Sequence, residues 1–284
     1  MNKSCQRPDF VTADIPLSPY QPDHMTRDNM DAVLIATPPH SHAEIAITAL
    51  QQGMPVFIEK PLTLDHKEAA DILAQHRTTP APFLIDHIYL FHAGYRTLKQ
   101  VLSDLGPIRA ISTIGGNRGP FRPDTSTLWD WAPHDVSICL DLVGQNPDSL
   151  TCRRHEQGKN GQGDNFEFSL TFPDQCEAQI FIGNLFERRR RQITVYTETD
   201  TLRFEDESEP FVGRYPKADP FTELEGTGEK VKFWGNLPLT QALMDFRETI
   251  RANDSNSTNL SFGLSVIELI ENLDRAVSSY NGSN

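Results

Sequence analysis

Short continuous apolar segments alternate with longer amphipathic ones over the first ninety residues. Three apolar segments, at 32–36, 56–58 and 83–85, are typical of strands buried on both faces of a sheet. Two segments between them, 41–50 and 65–75, place apolar residues at the spacing of an amphipathic helix. Strands and helices in this order predict a parallel sheet with right-handed crossovers.

Polar residues mark the ends of the two predicted helices. Ser41 is followed three residues later by Glu44, and Asp65 is followed by Glu68 at the same distance. Each pair predicts a capping box at the start of its helix. Gly53 is predicted to end the first helix in the left-handed conformation that glycine tolerates.

After residue 90 the pattern changes to shorter segments that often alternate with period two. Helices are predicted over 95–105, from about Asp130 to Gly144, over 241–250 and over 264–277. Strands are predicted at 108–114, 150–154, 165–172, 177–185, 192–197 and 201–204, with a loop at 115–127 and irregular structure at 211–236. Because Pro133 suits only the first turn of a helix, Asp130 is expected at or just before the helix start.

The expected fold class is α/β: a partial, N-terminally shortened Rossmann-type parallel sheet, followed by an α+β domain with a large, mostly antiparallel sheet. We assign residues 1–90 to an incomplete dinucleotide-binding domain and residues 91–284 to a substrate and oligomerisation domain with C-terminal helices. The phosphate-binding turn G-x-G-x-x-G is absent before Asp31. We therefore expect that the chain starts about halfway through such a sheet, or that the gene starts further upstream. The segment around Phe10 is a candidate to cover the free edge of the first strand.

Charge and cysteine content narrow the class of protein. The chain has 26 basic and 39 acidic residues and a formal net charge of −13, which argues against nucleic acid or an anionic membrane as a partner. The sequence shows no signal-peptide core and no apolar run of membrane-spanning length. Its four cysteines lack C-x-x-C spacing, so reduced thiols and a cytoplasmic location are expected.

Candidate chemistry lies at the end of the second strand and at the start of a helix. Lys60 follows that strand directly, and Pro61 restricts its backbone to an extended conformation. Asp130 and His134 stand four residues apart and can face the same way. Taken singly, these residues are equally typical of a solvated ion pair, an N-cap and a polar first turn. Together they supply a base and an orienting carboxylate for alcohol or carbonyl chemistry.

Three motifs in register resemble the Gfo/Idh/MocA oxidoreductases. They are Ala36-Thr37-Pro38-Pro39-His40-Ser41-His42-Ala43-Glu44, then Glu59-Lys60-Pro61-Leu62, then Asp130-x-x-x-His134. The segment 128–135 is similar to the branch of that family that acts on nucleotide sugars. The resemblance covers about residues 31 to 280.

The resemblance implies an NAD- or NADP-dependent dehydrogenase or reductase of a sugar, nucleotide sugar or cyclitol. It further implies a homo-oligomer that associates through the C-terminal sheet. Lys60 and His134 are the implied acid/base groups, Asp130 supports His134, and the bond from Lys60 to Pro61 is cis. The residues implied to line the ribose and nicotinamide of the cofactor are Thr37, Pro38, His42, Glu59 and Lys60. Two alternatives stay open: a non-catalytic relative that senses a sugar or cofactor, or a truncated inactive fragment.

Other polar residues are weaker candidates. The run 188–191 of four arginines can meet a diphosphate, but a solvated strand start or a subunit contact is the expected role. His87 and His92 are expected either to face the substrate or to be hydrogen-bonded in the core or at its rim. No cluster of His, Cys, Asp and Glu has metal-ligand spacing, so no metal site is expected.

Overall fold

A computed structural model describes residues 20–281 of the chain. Its first layer is a three-stranded parallel sheet in the order β1-β2-β3. The strands are β1 (Val33–Ile35), β2 (Val56–Glu59) and β3 (Phe83–Asp86), and the crossover helices are α1 (His42–Gln51) and α2 (His66–Thr78). The predicted order of strands and helices is confirmed. The segment around Phe10 lies outside the described residues.

The two predicted capping boxes have different outcomes. The side chain of Asp65 accepts a hydrogen bond from the backbone N–H of Glu68 at 3.0 Å, so the cap of α2 is confirmed. The cap at Ser41 is wrong, because its hydroxyl instead donates to the carbonyl oxygen of Pro38. A 3₁₀ turn over 39–41 leads into α1, so the backbone of Ser41 is already helical and lacks the extended geometry of a cap. Gly53 ends α1 with φ of +65°, as predicted.

The second layer is an eight-stranded sheet in the order β11-β10-β9-β8-β4-β7-β6-β5. Its strands are β4 (Ile108–Arg118), β5 (Ser149–Gln157), β6 (Asp164–Thr171), β7 (Glu177–Gly183), β8 (Leu185–Thr197), β9 (Asp200–Glu205), β10 (Phe211–Pro216) and β11 (Glu229–Val231). All neighbouring pairs are antiparallel except β4 with β7. The predicted α/β class, with a parallel sheet followed by a larger, mostly antiparallel sheet, is confirmed.

Two strands are longer than the sequence predicts, and two further strands were not predicted. β4 continues into the predicted loop as far as Arg118, and β8 starts seven residues before the predicted start at Gln192. These two extensions pair with each other, and Gly115 and Gly116 lie opposite Arg191 and Arg190. Glycine and arginine lack the alternation of apolar and polar residues that predicts a strand. The predicted irregular stretch 211–236 contains β10 and β11. Pairing with a neighbouring strand thus stabilises strands that the local pattern of apolar residues does not predict.

The remaining helices are α3 (Ala93–Leu102), α4 (Thr127–Val143), α5 (Pro238–Arg251) and α6 (Thr258–Asn281). α6 contacts α2 and β3 of the first layer and α4 and β5 of the second. One continuous core of buried apolar side chains joins both layers. α5 packs on the opposite face of the parallel sheet, where Phe246 meets Phe57 at 5.7 Å between ring centroids. The division at residue 90 stays a prediction.

α4 begins earlier than predicted. Its N-cap is Ser126, whose hydroxyl accepts from the backbone N–H of Trp129, so Asp130 lies inside the first turn and Pro133 inside the helix. The predicted first-turn position of Pro133 is therefore wrong. Eleven of the seventeen residues of α4 are buried, and this packing stabilises the helix across the missing N–H of Pro133.

Two further properties concern the described residues as a whole. No helix within 20–281 combines the length and the hydropathy that crossing a bilayer requires. Cys139, Cys152 and Cys176 are free, buried thiols. Cys5 lies outside the described residues.

Candidate functional site

The carboxyl ends of the three parallel strands bring polar residues together at one edge of the sheet. Glu59 ends β2 and Asp86 ends β3, and the two are directly opposite in the strand register. Thr37 follows β1 by two residues, and both Thr37 and Pro38 are exposed. This edge is where open α/β sheets bind ligands. The order of strands and loops thus brings hydroxyl, carboxylate and ammonium groups together at this edge of the sheet.

Lys60 and Asp130 form the centre of the site. The ammonium of Lys60 donates to the carbonyl oxygen of Asp130 at 2.7 Å and to its Oδ1 at 3.0 Å. Both side chains are largely buried, with 16% and 15% of their surface exposed. The Lys60–Pro61 peptide bond is cis, as the resemblance implied. The second carboxylate oxygen of Asp130 accepts from Nε of Arg122 at 3.1 Å, so Asp130 has a cation on either side.

His134 lies one helical turn after Asp130. Its imidazole is packed edge-on against the ring of Tyr89, with centroids 5.1 Å apart, and its Nδ1 has no hydrogen-bond partner among the described residues. Burial lowers the pKa of His134 well below its usual value, and the positive charges of Lys60 and Arg191 lower it further. The imidazole is therefore neutral at pH 7 and able to accept a proton.

His42 lies behind the edge rather than on its surface. It is fully buried, its Nδ1 is 2.9 Å from the carbonyl oxygen of Pro61, and its Nε2 is 2.9 Å from that of Thr37. The ring thus bridges the loop after β1 and the loop after β2. Of the five residues expected to line a cofactor, four reach the edge (Thr37, Pro38, Glu59 and Lys60), whereas His42 connects the loops that carry them.

Sequence reasoning missed Asp86, and His87 was left with two possible roles. Burial, followed by the charge of the neighbouring carboxylate of Glu59, raises the pKa of Asp86 to about 7. His87 is buried, neither ring nitrogen has a partner among residues 20–281, and burial followed by the charge of Lys60 lowers its pKa to about 4. Asp86 ends a buried strand as Glu59 does, and that shared position was the signal available in the sequence.

The four arginines at 188–191 have different surroundings. Arg188 is exposed, as expected for a solvated strand start, and Arg190 pairs with Glu207 at 2.7 Å. The expectation is wrong for Arg191, whose side chain is completely buried against Asp135. His92 caps α3, because its side chain accepts a hydrogen bond from the backbone N–H of Gly94. Of the two roles expected for His92, the structure thus shows the hydrogen-bonded one.

A cavity of about 450 Å³ adjoins the site. It is lined by the loop 120–127, the turn 161–164, Asn184 and Asp130. Because Asp130 also contacts Lys60, the cavity opens directly beside the candidate catalytic groups. Within residues 20–281, no group of three or more His, Cys, Asp or Glu side chains is arranged to hold a metal ion.

Comparisons with known proteins show which family the chain resembles. Residues 8–87 match the family model of Gfo/Idh/MocA, described as an oxidoreductase family with an NAD-binding Rossmann fold. The UDP-N-acetylglucosamine 3-dehydrogenase of Acidithiobacillus ferrooxidans is 32% identical over 121 residues, which are 42% of this chain and 37% of that protein. The inositol 2-dehydrogenase of Leifsonia xyli is 32% identical over 127 residues, 43% of this chain and 38% of that protein. The chain thus spans less than half the length of these two curated relatives.

A solved structure extends the similarity over nearly the whole chain. It is a provisionally assigned oxidoreductase from Magnetospirillum magnetotacticum MS-1, 33% identical, with a TM-score of 0.82. The match covers 88% of this chain and 82% of that one, so both layers and their connection are shared.

Proposed function

Because the chain belongs to the Gfo/Idh/MocA family of oxidoreductases, we propose that it is an NAD(P)-dependent dehydrogenase or reductase of a sugar, nucleotide sugar or cyclitol. The reaction interconverts a hydroxyl group and a ketone. The observation that carries the proposal is the ammonium of Lys60, bonded to Asp130 at 2.7 and 3.0 Å beside a neutral His134. The named relatives act on UDP-N-acetylglucosamine and inositol, both rich in hydroxyl groups.

The residues at the sheet edge fit the ribose and nicotinamide of the cofactor. Thr37 offers a hydroxyl, Glu59 a carboxylate and Lys60 an ammonium, a donor and acceptor set suited to ribose hydroxyls. Asp86 Oδ1 and both ring nitrogens of His87 are buried close by without partners among the described residues. When bound, the nicotinamide supplies the hydride acceptor or donor of the reaction.

The chain's own residues supply the proton chemistry. In the oxidation direction, the substrate hydroxyl oxygen lies against Nζ of Lys60, whose charge stabilises the developing alkoxide. The neutral imidazole of His134 accepts the hydroxyl proton. Asp130 holds the ammonium in place through its carbonyl oxygen and its carboxylate. In the reduction direction the same proton returns from His134 to the carbonyl oxygen.

The first test measures cofactor binding and turnover separately. NADH and NADPH fluorescence is titrated with the protein, and absorbance at the reduced-nicotinamide band is followed with UDP-N-acetylglucosamine, inositol and related polyols. We expect saturable binding, turnover with one substrate class, and a loss of kcat on the order of 100-fold or more in Lys60→Met and in His134→Asn. Lys67→Met is the matched control, because Lys67 is 84% exposed and pairs only with Asp71.

No saturable binding at millimolar cofactor would overturn the proposal for this chain. A second candidate function is a relative that senses a sugar or cofactor without turning it over. It is favoured by one observation: no glycine-rich turn follows a strand of the parallel sheet within residues 20–281. That candidate predicts binding that survives Lys60→Met and no hydride transfer, whereas transfer abolished by the substitution rules it out.

A further inference from the structure

A completely buried ion pair lies behind the candidate base. Arg191 is the largest fully buried side chain among the described residues, and its Nη1 donates to Oδ1 of Asp135 at 2.7 Å. Both side chains have no exposed surface. Removing two charges from water costs several kcal/mol per ion, so a buried pair is weak evidence of a stabilising role. Its position in the fold points to a different role.

The pair joins two elements at the point where His134 is held. Asp135 directly follows His134 on α4, and Arg191 lies on β8 opposite Gly115 of β4. A Cβ atom at Gly115 would come within 2.5 Å of Nη2 of Arg191 and 2.8 Å of Oδ2 of Asp135. The missing side chain at residue 115 therefore makes room for the pair.

An aromatic ring connects the pair to the imidazole. Cζ of Arg191 lies 4.0 Å from the centroid of the Tyr89 ring, a close cation–π contact. The same ring meets the imidazole of His134 at 5.1 Å and at an interplanar angle of 87°. His134 is thus held through its backbone neighbour Asp135 and through the ring beside it, and both supports end at Arg191.

We propose that Arg191, Asp135 and Tyr89 are positioning residues that fix the imidazole of His134 for proton transfer. The role in proton transfer rests on the proposed function, whereas the positioning of His134 does not. The supports are anchored on Arg191 of β8. Arg191 and Asp135 are 56 residues apart in the chain, so the position of His134 depends on a contact between distant parts of the sequence.

The charge of Arg191 supports the same reading. After burial and Lys60, Arg191 is the next cause that lowers the pKa of His134. The titratable and charged groups facing His134 from the surrounding elements are Lys60 after β2, His87 and Tyr89 after β3, Arg191 on β8, and Asp130 and Asp135 on α4 itself. Removing the guanidinium takes away one of the positive charges and so raises the pKa of His134.

The test uses the full chain and a readout that needs no substrate. The C–H signals of labelled histidines are followed by NMR across pH, and the signal of His134 is assigned by its absence in His134→Asn. In the paired variant Arg191→Gln with Asp135→Asn, both charges are removed while an amide hydrogen bond remains possible. Arg191 is among the causes that lower the pKa of His134 and Asp135 is not, so we expect the His134 titration midpoint to rise by roughly 0.5–1 pH unit in this variant. Where turnover is measurable, kcat falls by about 10- to 100-fold with little change in cofactor KM.

A matched pair on the same strand separates positioning from general stability. Arg190→Gln with Glu207→Gln removes a partly exposed pair, joined at 2.7 Å, and neither residue is among the causes that shift the pKa of His134. We expect no change in the His134 midpoint there. Arg191→Lys keeps the charge and loses the planar fork, so the midpoint stays near that of the wild type while kcat remains reduced.

Substitutions of Tyr89 keep the proposal testable if the buried pair cannot be replaced in a folded protein. Tyr89→Phe retains the ring that contacts His134, so its effect on the His134 signal is expected to be smaller than that of Tyr89→Leu, which also lowers kcat. An unchanged His134 midpoint and kcat in the folded Arg191→Gln/Asp135→Asn and Tyr89→Leu variants, with only a lower Tm, overturns the proposal. A shifted midpoint in a protein without turnover supports the positioning and counts against the proposed function alone.

Discussion

At the scale of single residues, burial sets the protonation of the candidate site. Asp86 and His87 are adjacent and almost without exposed surface, yet their pKa values move in opposite directions, to about 7 and to about 4. Each shift favours the uncharged form of its group, as burial requires. The edge of the sheet thus places these two groups near Lys60, whose ammonium is held by the carboxylate of Asp130.

The raised pKa of Asp86 predicts a specific pH dependence of stability. The folded protein keeps this proton to about pH 7, whereas an unfolded chain releases it near pH 4. The stability that the protonated group contributes is present below the unfolded value and is lost as pH rises through the folded one. In Asp86→Asn, which cannot ionise, the loss of unfolding free energy between pH 5 and pH 8 should be smaller by about 2 kcal/mol. Urea unfolding at a series of pH values measures this difference.

Glu59→Gln is the companion variant for that measurement. The carboxylate of Glu59 is the second cause of the raised pKa of Asp86, so its removal should lower that pKa and shift the loss of stability to lower pH. Identical pH slopes in the wild type and Asp86→Asn would contradict the assignment of a buried, protonated Asp86.

At the scale of elements, the site depends on where its helices begin. The sequence predicts some of these helix starts correctly and others wrongly. Asp65 and Ser41 carry the same pattern with a glutamate three residues later, but only Asp65 caps its helix. The difference comes from the backbone before each residue, because a 3₁₀ turn already directs the chain at Ser41. For α4, the spacing of Asp130 and His134 was readable, whereas the true start at Ser126 was hidden by Pro133.

Replacing the cap of α2 tests this reading of the helix start. In Asp65→Ala the backbone N–H of Glu68 loses its acceptor, and we expect the unfolding free energy to fall by about 1 kcal/mol. Asp65→Asn retains an acceptor oxygen and should lose much less. Equal stability of the alanine and asparagine variants in urea titrations would show that the hydrogen bond to Glu68 contributes nothing.

At the scale of the whole molecule, the sequence predicted the order of elements but not the contacts between them. The parallel sheet and the antiparallel sheet followed from the strand patterns. The ion pair of Lys60 with Asp130 was not predicted, because the sequence analysis assigned Asp130 to the support of His134. The burial of Arg191 did not, because it depends on the pairing of β8 with β4 at Gly115 and on the approach of α4. Arginine side chains are mostly exposed in proteins. Only contacts between elements that are distant in the chain show that Arg191, the last of the four arginines, is buried instead.

The continuous core predicts that both layers unfold together. α6 contacts α2 and β3 on one side and α4 and β5 on the other, and Ile270 on this helix is completely buried. Ile270→Ala should lower the unfolding free energy by about 2–4 kcal/mol, because it removes methylene groups and leaves a cavity. Tryptophan fluorescence and far-UV circular dichroism in urea should give coincident transitions for the wild type and the variant. Glu268→Ala, an exposed position on the same helix, should change stability by no more than about 0.5 kcal/mol. Two separated transitions in the wild type would show that the layers fold independently, and the division predicted at residue 90 would then be a boundary between folding units.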